Sequence, residues 1–159
     1  MWKFVLLACV GVVLAKGPCT QKNDDNARLL EEARAKGTDI MDLPYFRCEE
    51  DGTFARVQCY GASGYCYCAA KDGTSIGDHN NNNMEGKGAG VGNGMNCNCA
   101  RDFYEYQQTG LIGKSFSCED NGNYKAVQCL GSVCYCADEL GNNAGNGGVP
   151  IGESDTLQC

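Results

Sequence analysis

The sequence predicts a small, disulfide-rich α+β fold built from two tandem modules, each with a short helix, a small antiparallel sheet and bridged loops. The chain has 159 residues and 13 cysteines, of which 12 follow an N-terminal leader. These fall into two sets of six in which ten residues separate the second cysteine from the third, and the fourth and fifth form Cys-Tyr-Cys. The sets are Cys19, Cys48, Cys59, Cys66, Cys68, Cys97 and Cys99, Cys118, Cys129, Cys134, Cys136, Cys159. This regularity indicates an internal repeat.

Residues 1–15 are predicted to be a cleaved secretory signal. Lys3 supplies a positive charge, the stretch from Phe4 to Leu14 is apolar, and Ala15 offers a small side chain for the peptidase. The stretch is too short for a membrane span, and a buried N-terminal strand or helix is the alternative. Cys9 is removed with the leader, and an even number of cysteines in an oxidising compartment predicts disulfides. We therefore expect a secreted, extracellular protein with modules at residues 16–97 and 98–159.

The charge composition of the chain argues against two classes of binding partner. The chain carries 13 Lys+Arg against 20 Asp+Glu, a formal net charge of −7, and an acidic surface repels nucleic acid and anionic membranes. We expect neither as a partner. Each repeat has roughly 60 to 80 residues, a size at which a hydrophobic core alone is marginal and covalent staples are the usual remedy.

The repeats are predicted to meet at Asn98, the single residue between Cys97 and Cys99. The stretch from Gly73 to Asn96 is rich in Asn and Gly and would be taken for a linker on composition. Since it lies between the fifth and sixth cysteines of its set, we expect a loop tethered at both ends. The run Asn80–Asn83 could form a binding patch, and filler is the alternative.

Each repeat is predicted to begin with a helix. Helix formers run from Ala27 to Lys36, after capping side chains at residues 23–25, and Gly37 suits a C-terminal stop. The second repeat has a shorter version from Asp102 to Gln108, followed by Gly110.

A short two-stranded sheet is predicted to follow each helix. Segments 46–59 and 116–129 are identical at seven of fourteen positions, and each contains a turn dipeptide, Asp51-Gly52 or Asn121-Gly122. In the first repeat the turn precedes a predicted strand at residues 54–57, and Tyr65–Ala69 is its expected antiparallel partner.

Metal binding and catalysis are the rival explanations of the cysteines. Zinc sites favour reduced thiolates and usually some histidine, but His79 is the one histidine and the leader predicts an oxidising compartment. Paired cysteines leave no nucleophilic thiolate, and carboxylates such as Glu49 and Asp120 adjoin turns, where solvated charge is the simpler explanation. We expect no metal, no cofactor and no enzymatic activity.

The spacing resembles that of the thyroglobulin type-1 module across the whole segment after the leader. The resemblance rests on Cys48-x10-Cys59 ending in Val-Gln-Cys, on Cys66-Tyr67-Cys68, and on the same signatures in the second repeat. The chain departs from the family where Tyr67 replaces the usual Trp and Ala69 the usual Val. The resemblance implies the bridges Cys19–Cys48, Cys59–Cys66, Cys68–Cys97, Cys99–Cys118, Cys129–Cys134 and Cys136–Cys159, whereas sequence alone allows fifteen pairings per repeat.

The resemblance also implies a function. A leader followed by modules alone is the architecture of the thyropins, which inhibit papain-like cysteine proteases reversibly by wedging loops from one end of a module into the active-site cleft. The corresponding loops here are Leu43-Pro44-Tyr45, Gly61-Ala62-Ser63-Gly64 and Lys71-Asp72-Gly73, and an ordinary surface turn is the alternative for each. The alternative functions are a non-inhibitory extracellular interaction module and an inhibitor of aspartic or metalloproteases. A secreted tissue or venom component is compatible with all three.

Overall fold

The computed structural model describes residues 16–40, 43–60, 64–80, 94–145 and 147–159. The predicted leader lies outside these residues. The first repeat contains a helix and a three-stranded antiparallel sheet: α1 (Pro18–Ala35), β1 (Val57–Tyr60), β2 (Tyr65–Ala69) and β3 (Ser75–Asn80), in sheet order β1-β2-β3. The second repeat has the same order of elements: α2 (Asn98–Gln108), β4 (Val127–Leu130), β5 (Val133–Cys136) and β6 (Val149–Pro150), followed by a 3₁₀ helix, Ile151–Thr156. The predicted disulfide-rich α+β class is confirmed.

Six disulfides cross-link the chain, three within each repeat. They join the pairs that the resemblance implies: Cys19–Cys48, Cys59–Cys66, Cys68–Cys97, Cys99–Cys118, Cys129–Cys134 and Cys136–Cys159. The Cys68–Cys97 bridge ties both ends of the Asn- and Gly-rich stretch, as expected. That stretch is not only loop, however, because β3 begins within it at Ser75.

Both helices start earlier than the sequence predicts. The prediction placed the start of α1 at Ala27, whereas the helix begins at Pro18, and α2 begins at Asn98 rather than Asp102. Their first N–H groups are satisfied by a backbone carbonyl of the distant turn, not by a side-chain cap: Cys19 N donates to Gly52 O (3.0 Å), and Ala100 N donates to Gly122 O (3.0 Å). This tertiary cap is invisible to local capping rules.

The predicted strand at residues 54–57 is also shifted. Phe54 makes only an isolated bridge with Cys48, and the continuous strand β1 runs from Val57. Its partner β2 matches the predicted Tyr65–Ala69, with Cys59 opposite Cys66 in the register. The pairing therefore centres on the disulfide and not on the apolar residues just after the turn.

The two repeats share a buried core. Cys68, Ala70, Ile76 and Cys97 of the first repeat form one cluster with Ala100, which lies in the first turn of α2. Cys97 is both the last cysteine of the first repeat and the N-cap of α2. The helix of the second repeat thus covers the sheet of the first.

Arg101 reinforces this shared core with a buried charge. Its side chain is only 1 % exposed. Nε donates to Ala69 O (2.8 Å), and Nη2 donates to Phe54 O (2.8 Å) and also to Ala69 O. One α2 side chain therefore satisfies two carbonyls at the end of the first repeat's sheet.

Further polar contacts join the two repeats. The Arg56 guanidinium of the first repeat lies 2.9 Å from the Asp102 carboxylate, which also accepts a hydrogen bond from the Tyr124 hydroxyl (2.9 Å). Burial, followed by this bond to Asp102, raises the pKa of Tyr124. The Asn123 side chain accepts from Asn96 N (2.7 Å). Together these contacts hold the junction in one arrangement.

Candidate functional site

The first candidate loop, Leu43-Pro44-Tyr45, projects its tyrosine into solvent. Tyr45 is 82 % exposed, whereas Leu43 is half-buried. We call these three residues the 43–45 tip. An exposed aromatic ring on a loop next to a disulfide at Cys48 is a typical protein-binding feature.

Two asparagines of α1 hold the backbone of this tip. Asn26, which is only 8 % exposed, donates from Nδ2 to Pro44 O (2.8 Å). Asn23 makes a reciprocal pair with Phe46: its Nδ2 donates to Phe46 O (2.8 Å), and its Oδ1 accepts from Phe46 N (2.9 Å). The sequence predicts a helix cap at residue 23, whereas the structure places it inside the helix, facing the tip.

A third amide, that of Gln58, holds the next residue along. Its Oε1 accepts from Arg47 N (3.0 Å), and its Nε2 donates to Arg47 O (2.7 Å) and Ala55 O (2.9 Å). Gln128 makes the equivalent bonds with Ser117 and Lys125 in the second repeat. The glutamine of the repeated Val-Gln-Cys signature is thus a buried amide clamp. The recurrence of this signature in both repeats is the sequence feature from which the clamp could have been predicted.

The tip lies at the same end of the module as the turn between β1 and β2. Because Cys48 pairs with Phe54 in antiparallel fashion, residues 47 to 43 run alongside the chain toward Tyr60, where the turn begins. In the second repeat the equivalent contact is direct, since Ser115 Oγ donates to Cys129 O (2.8 Å).

The second candidate loop is described only in part. Gly61, Ala62 and Ser63 lie outside the described residues. Gly64, which is described, donates from its N–H to Tyr60 O (3.1 Å) at the end of the hairpin. The Cys59–Cys66 bridge ties the two strands next to the turn.

The third candidate loop, Lys71-Asp72-Gly73, follows β2 and is separated by that strand from the β1–β2 turn. The five residues of β2 separate it from Gly64, a span of about 16 Å at strand geometry. It faces the second repeat instead, since Lys71 Nζ lies 3.5 Å from Glu105 Oε1. That all three loops project from one end stays a prediction for this loop.

Local geometry gives Asp72 and Gly73 structural roles. Asp72 Oδ1 accepts from Thr74 N (2.9 Å), and this bond lowers the pKa of Asp72. Gly73 has φ +92°, and a Cβ there would lie 2.8 Å from the Phe54 ring.

Three stacked tyrosines cover the sheet face beside the β1–β2 turn. The ring centroids of Tyr60 and Tyr65 lie 5.9 Å apart, and those of Tyr60 and Tyr67 lie 5.6 Å apart. Burial, followed by the neighbouring Tyr60 phenol, raises the pKa of Tyr67 to about 12. This cluster is not among the predicted site residues, although its tyrosines alternate along β1 and β2 and so share one face.

The second repeat presents a different surface at the equivalent end. Ile112 is 94 % exposed, and Leu111, Leu130 and Val133 are also exposed. An open groove of about 710 Å³ runs along the same sheet face, lined among others by Phe116, Leu130, Val133, Tyr135 and Leu140. The positions of Tyr60 and Tyr65 are taken here by Leu130 and Val133, which do not fill the face.

Within the described part of the chain, no group of three or more His, Cys, Asp or Glu side chains could hold a metal ion. No helix among the same residues is long and apolar enough to cross a membrane.

Fold and loops together define a class: tandem, disulfide-stapled α+β modules that present backbone-held loops at one end. The family model described as Thyroglobulin type-1 repeat matches residues 19–87 and 115–153. The chain belongs to this family.

Three relatives illustrate the range of proteins that contain such modules. Thyroglobulin of Rattus norvegicus is 29% identical over 143 residues, which are 89% of this chain and 5% of thyroglobulin. Equistatin of Actinia equina is 29% identical over 102 residues, 60% of this chain and 41% of equistatin. SPARC-related modular calcium-binding protein 1 of Homo sapiens is 36% identical over 69 residues, 40% of this chain and 15% of that protein. The chain therefore spans less than half the length of each.

Proposed function

We propose that this protein is a secreted, reversible inhibitor of papain-like cysteine proteases. The 43–45 tip and the β1–β2 turn would enter the active-site cleft of the protease. The observation that carries the proposal is the exposed tip, held by side-chain amides beside a disulfide-tied hairpin. The similarity to equistatin, a thyropin-type inhibitor, supports the choice of partner.

Rigidity suits this role. A protease inhibitor binds tightly when its contact loops are ordered before binding, because little conformational entropy is then lost on association. The bridges Cys19–Cys48 and Cys59–Cys66 flank the tip and the turn, and the backbone between Pro44 and Arg47 is hydrogen-bonded on both sides. Such a loop resists being drawn into the extended form that a protease cleaves.

The inhibition would be non-covalent. Every cysteine in the described part of the chain belongs to a disulfide, so these residues offer no thiol to react with a protease thiolate. Binding would rest on shape and on the apolar surface of Leu43 and Tyr45, with Lys71-Asp72-Gly73 outside the contact.

The test is an inhibition assay of the oxidised chain against papain-like, aspartic, metallo- and serine proteases. The cysteine proteases are activated with thiol, which is removed before mixing so that the disulfides persist. We expect a sub-micromolar inhibition constant for at least one papain-like enzyme, and the reduced and alkylated protein serves as the inactive control. Inhibition of another class alone, or of none, would replace this function by one of the alternatives.

Matched tip variants identify the repeat that acts. We expect Tyr45→Ser to weaken inhibition about tenfold or more, because a buried aromatic anchor typically contributes over 1 kcal/mol to an interface. Ile112→Ser removes an equally exposed apolar side chain from the second repeat and should change inhibition less. The first repeat has six residues between Cys59 and Cys66, whereas the second has four between Cys129 and Cys134, so the second turn should reach less far. A larger effect of Ile112→Ser would assign inhibition to the second repeat.

A further inference from the structure

Two side chains of α1 reach the backbone on either side of Tyr45. Asn26 bonds the carbonyl of Pro44, and Asn23 bonds both backbone groups of Phe46, all at 2.8 to 2.9 Å. We propose that Asn23 and Asn26 are positioning residues, which hold the 43–45 tip in the conformation that enters the partner's cleft. The proposal rests on the proposed function for the identity of the partner.

The geometry leaves the contact surface clear. Asn23 and Asn26 are three residues apart and so lie on one face of α1. Three of their bonds go to the backbone of residues 44 and 46, and a fourth runs from Asn23 Nδ2 to Cys48 Sγ (3.5 Å). None involves the side chain of Tyr45, which stays exposed. Pro44 has no N–H, and its carbonyl is the one backbone group through which a side chain can bond it.

The second repeat holds the same positions with different chemistry. Phe103 and Tyr106 stand four and seven residues after Cys99, as Asn23 and Asn26 do after Cys19. Their rings lie 5.6 and 5.5 Å from that of Phe116, the counterpart of Phe46.

One further bond extends this equivalence. The Tyr106 hydroxyl accepts from the N–H of Lys114, the counterpart of Pro44, at 3.2 Å. The helix therefore contacts the same two loop positions in each repeat, by amide bonds in one and by aromatic rings and a hydroxyl in the other. Because the contact persists while the side chains change, holding this loop is the shared feature.

We call the bonds from Asn23 and Asn26 to the tip the asparagine clamp. Its loss should act mainly after the inhibitor and the protease have met. An unheld tip must be ordered on binding, and ordering one or two residues costs about tenfold to a hundredfold in affinity. Since related complexes differ chiefly in dissociation, the dissociation rate should rise while the association rate changes little. A loosened tip should also become a substrate, and we expect cleavage between residues 43 and 46.

The experiment uses the full oxidised chain with papain as the probe protease, or the most strongly inhibited enzyme of the panel. The variants are Asn23→Ala, Asn26→Ala and the double alanine variant. Asn26→Asp keeps the size of the side chain but cannot donate to Pro44 O. Glu31→Ala, on the exposed side of the same helix, is the matched control. Asn23→Phe with Asn26→Tyr imports the second repeat's solution against Phe46.

Three readouts are combined: association and dissociation rates, cleavage of the tip by mass spectrometry, and hydrogen exchange of the Phe46 amide. We expect faster dissociation and cleavage in the alanine and Asn26→Asp variants. Exchange of the Phe46 amide should be faster wherever Asn23, its acceptor, is replaced, with β1 and β2 amides unchanged. The control should match the wild type. The aromatic pair packs rings on Phe46 but offers no acceptor for its N–H, so it should restore slow dissociation while the Phe46 amide still exchanges fast.

Two results would overturn the positioning role. One is unchanged exchange of the Phe46 amide in the double variant, which refutes the clamp without any protease. The other is accelerated exchange with unaltered dissociation and no cleavage, which refutes its part in inhibition. A wild-type protein that inhibits no papain-like enzyme instead removes the proposed function, and the clamp's role in it, while the exchange result still decides whether the clamp exists.

Discussion

Replacing Arg101 by alanine should uncouple the two repeats. The side chain belongs to α2 but bonds Phe54 O and Ala69 O of the first repeat, and it is almost fully buried. Alanine removes these donors and leaves both carbonyls facing a space too apolar to replace them well.

The expected loss follows from the two carbonyls. A hydrogen bond to a charged group contributes about 1.5–3 kcal/mol net, so two acceptors give about 3–6 kcal/mol. Burial opposes this gain, because it lowers the pKa of Arg101 by disfavouring the charged form. We therefore expect the lower end, about 3 kcal/mol, which at about 2–4 °C per kcal/mol corresponds to a fall in Tm of about 6–12 °C.

Denaturant and thermal unfolding under non-reducing conditions measure this loss. Arg34→Ala, at an exposed arginine of α1, is the control and should change the free energy of unfolding by less than about 0.5 kcal/mol. The wild type should unfold in one transition and Arg101→Ala in two, as the repeats separate. A loss below about 1 kcal/mol with one transition retained would refute the idea that Arg101 couples them.

Three further predictions concern single side chains. Gln58→Leu should lower the free energy of unfolding by about 2–4 kcal/mol, because three backbone groups lose their partner. Gln128→Leu should do the same. An effect near zero in denaturant titrations would contradict the stabilising role of these glutamines. Gly73→Ala should lower the stability of the fold more than Gly37→Ala does. Both glycines have positive φ, but only a Cβ at residue 73 would press against Phe54. Equal Tm values of the two variants would contradict this. Because the pKa of Tyr67 is raised to about 12, the folded state retains this proton above pH 10 while the unfolded state loses it, so stability should fall between about pH 10 and 12. Tyr67→Phe should reduce that slope in stability measurements from pH 9 to 11.5, and identical slopes would show that another group is responsible.

The even cysteine count predicted that disulfides form, and the resemblance to the thyroglobulin type-1 family supplied their pairing. The Cys-Tyr-Cys pairs lie on β2 and β5, as expected of alternating side chains with different partners. Gly37 and Gly110 end their helices with positive φ, as predicted, since this preference is local.

The features that the sequence did not predict share one cause: each depends on a residue that lies far away along the chain. The helix starts were misplaced because Gly52 and Gly122 supply the capping carbonyls from more than twenty residues away. The ion pair of Lys71 was not predictable either, because its partner, Glu105, belongs to the other repeat. The roles of Asn23 and Arg101 were missed for the same reason, since a polar side chain on a helix gives no local sign of the carbonyl it meets.

The shared core changes how the repeats can be compared. A cut between Cys97 and Asn98 would remove α2 from the first repeat, leaving Phe54 O and Ala69 O without the guanidinium and exposing Ala70 and Ile76. A first repeat expressed alone would then lose the proposed inhibitory activity through damage to its sheet, whichever tip is responsible for that activity. Substitutions in the intact chain avoid this, because the 43–45 tip and Ile112 both lie away from the shared core. Since the last cysteine of one repeat caps the helix of the next, the two repeats behave as one structural unit with two separate loop ends.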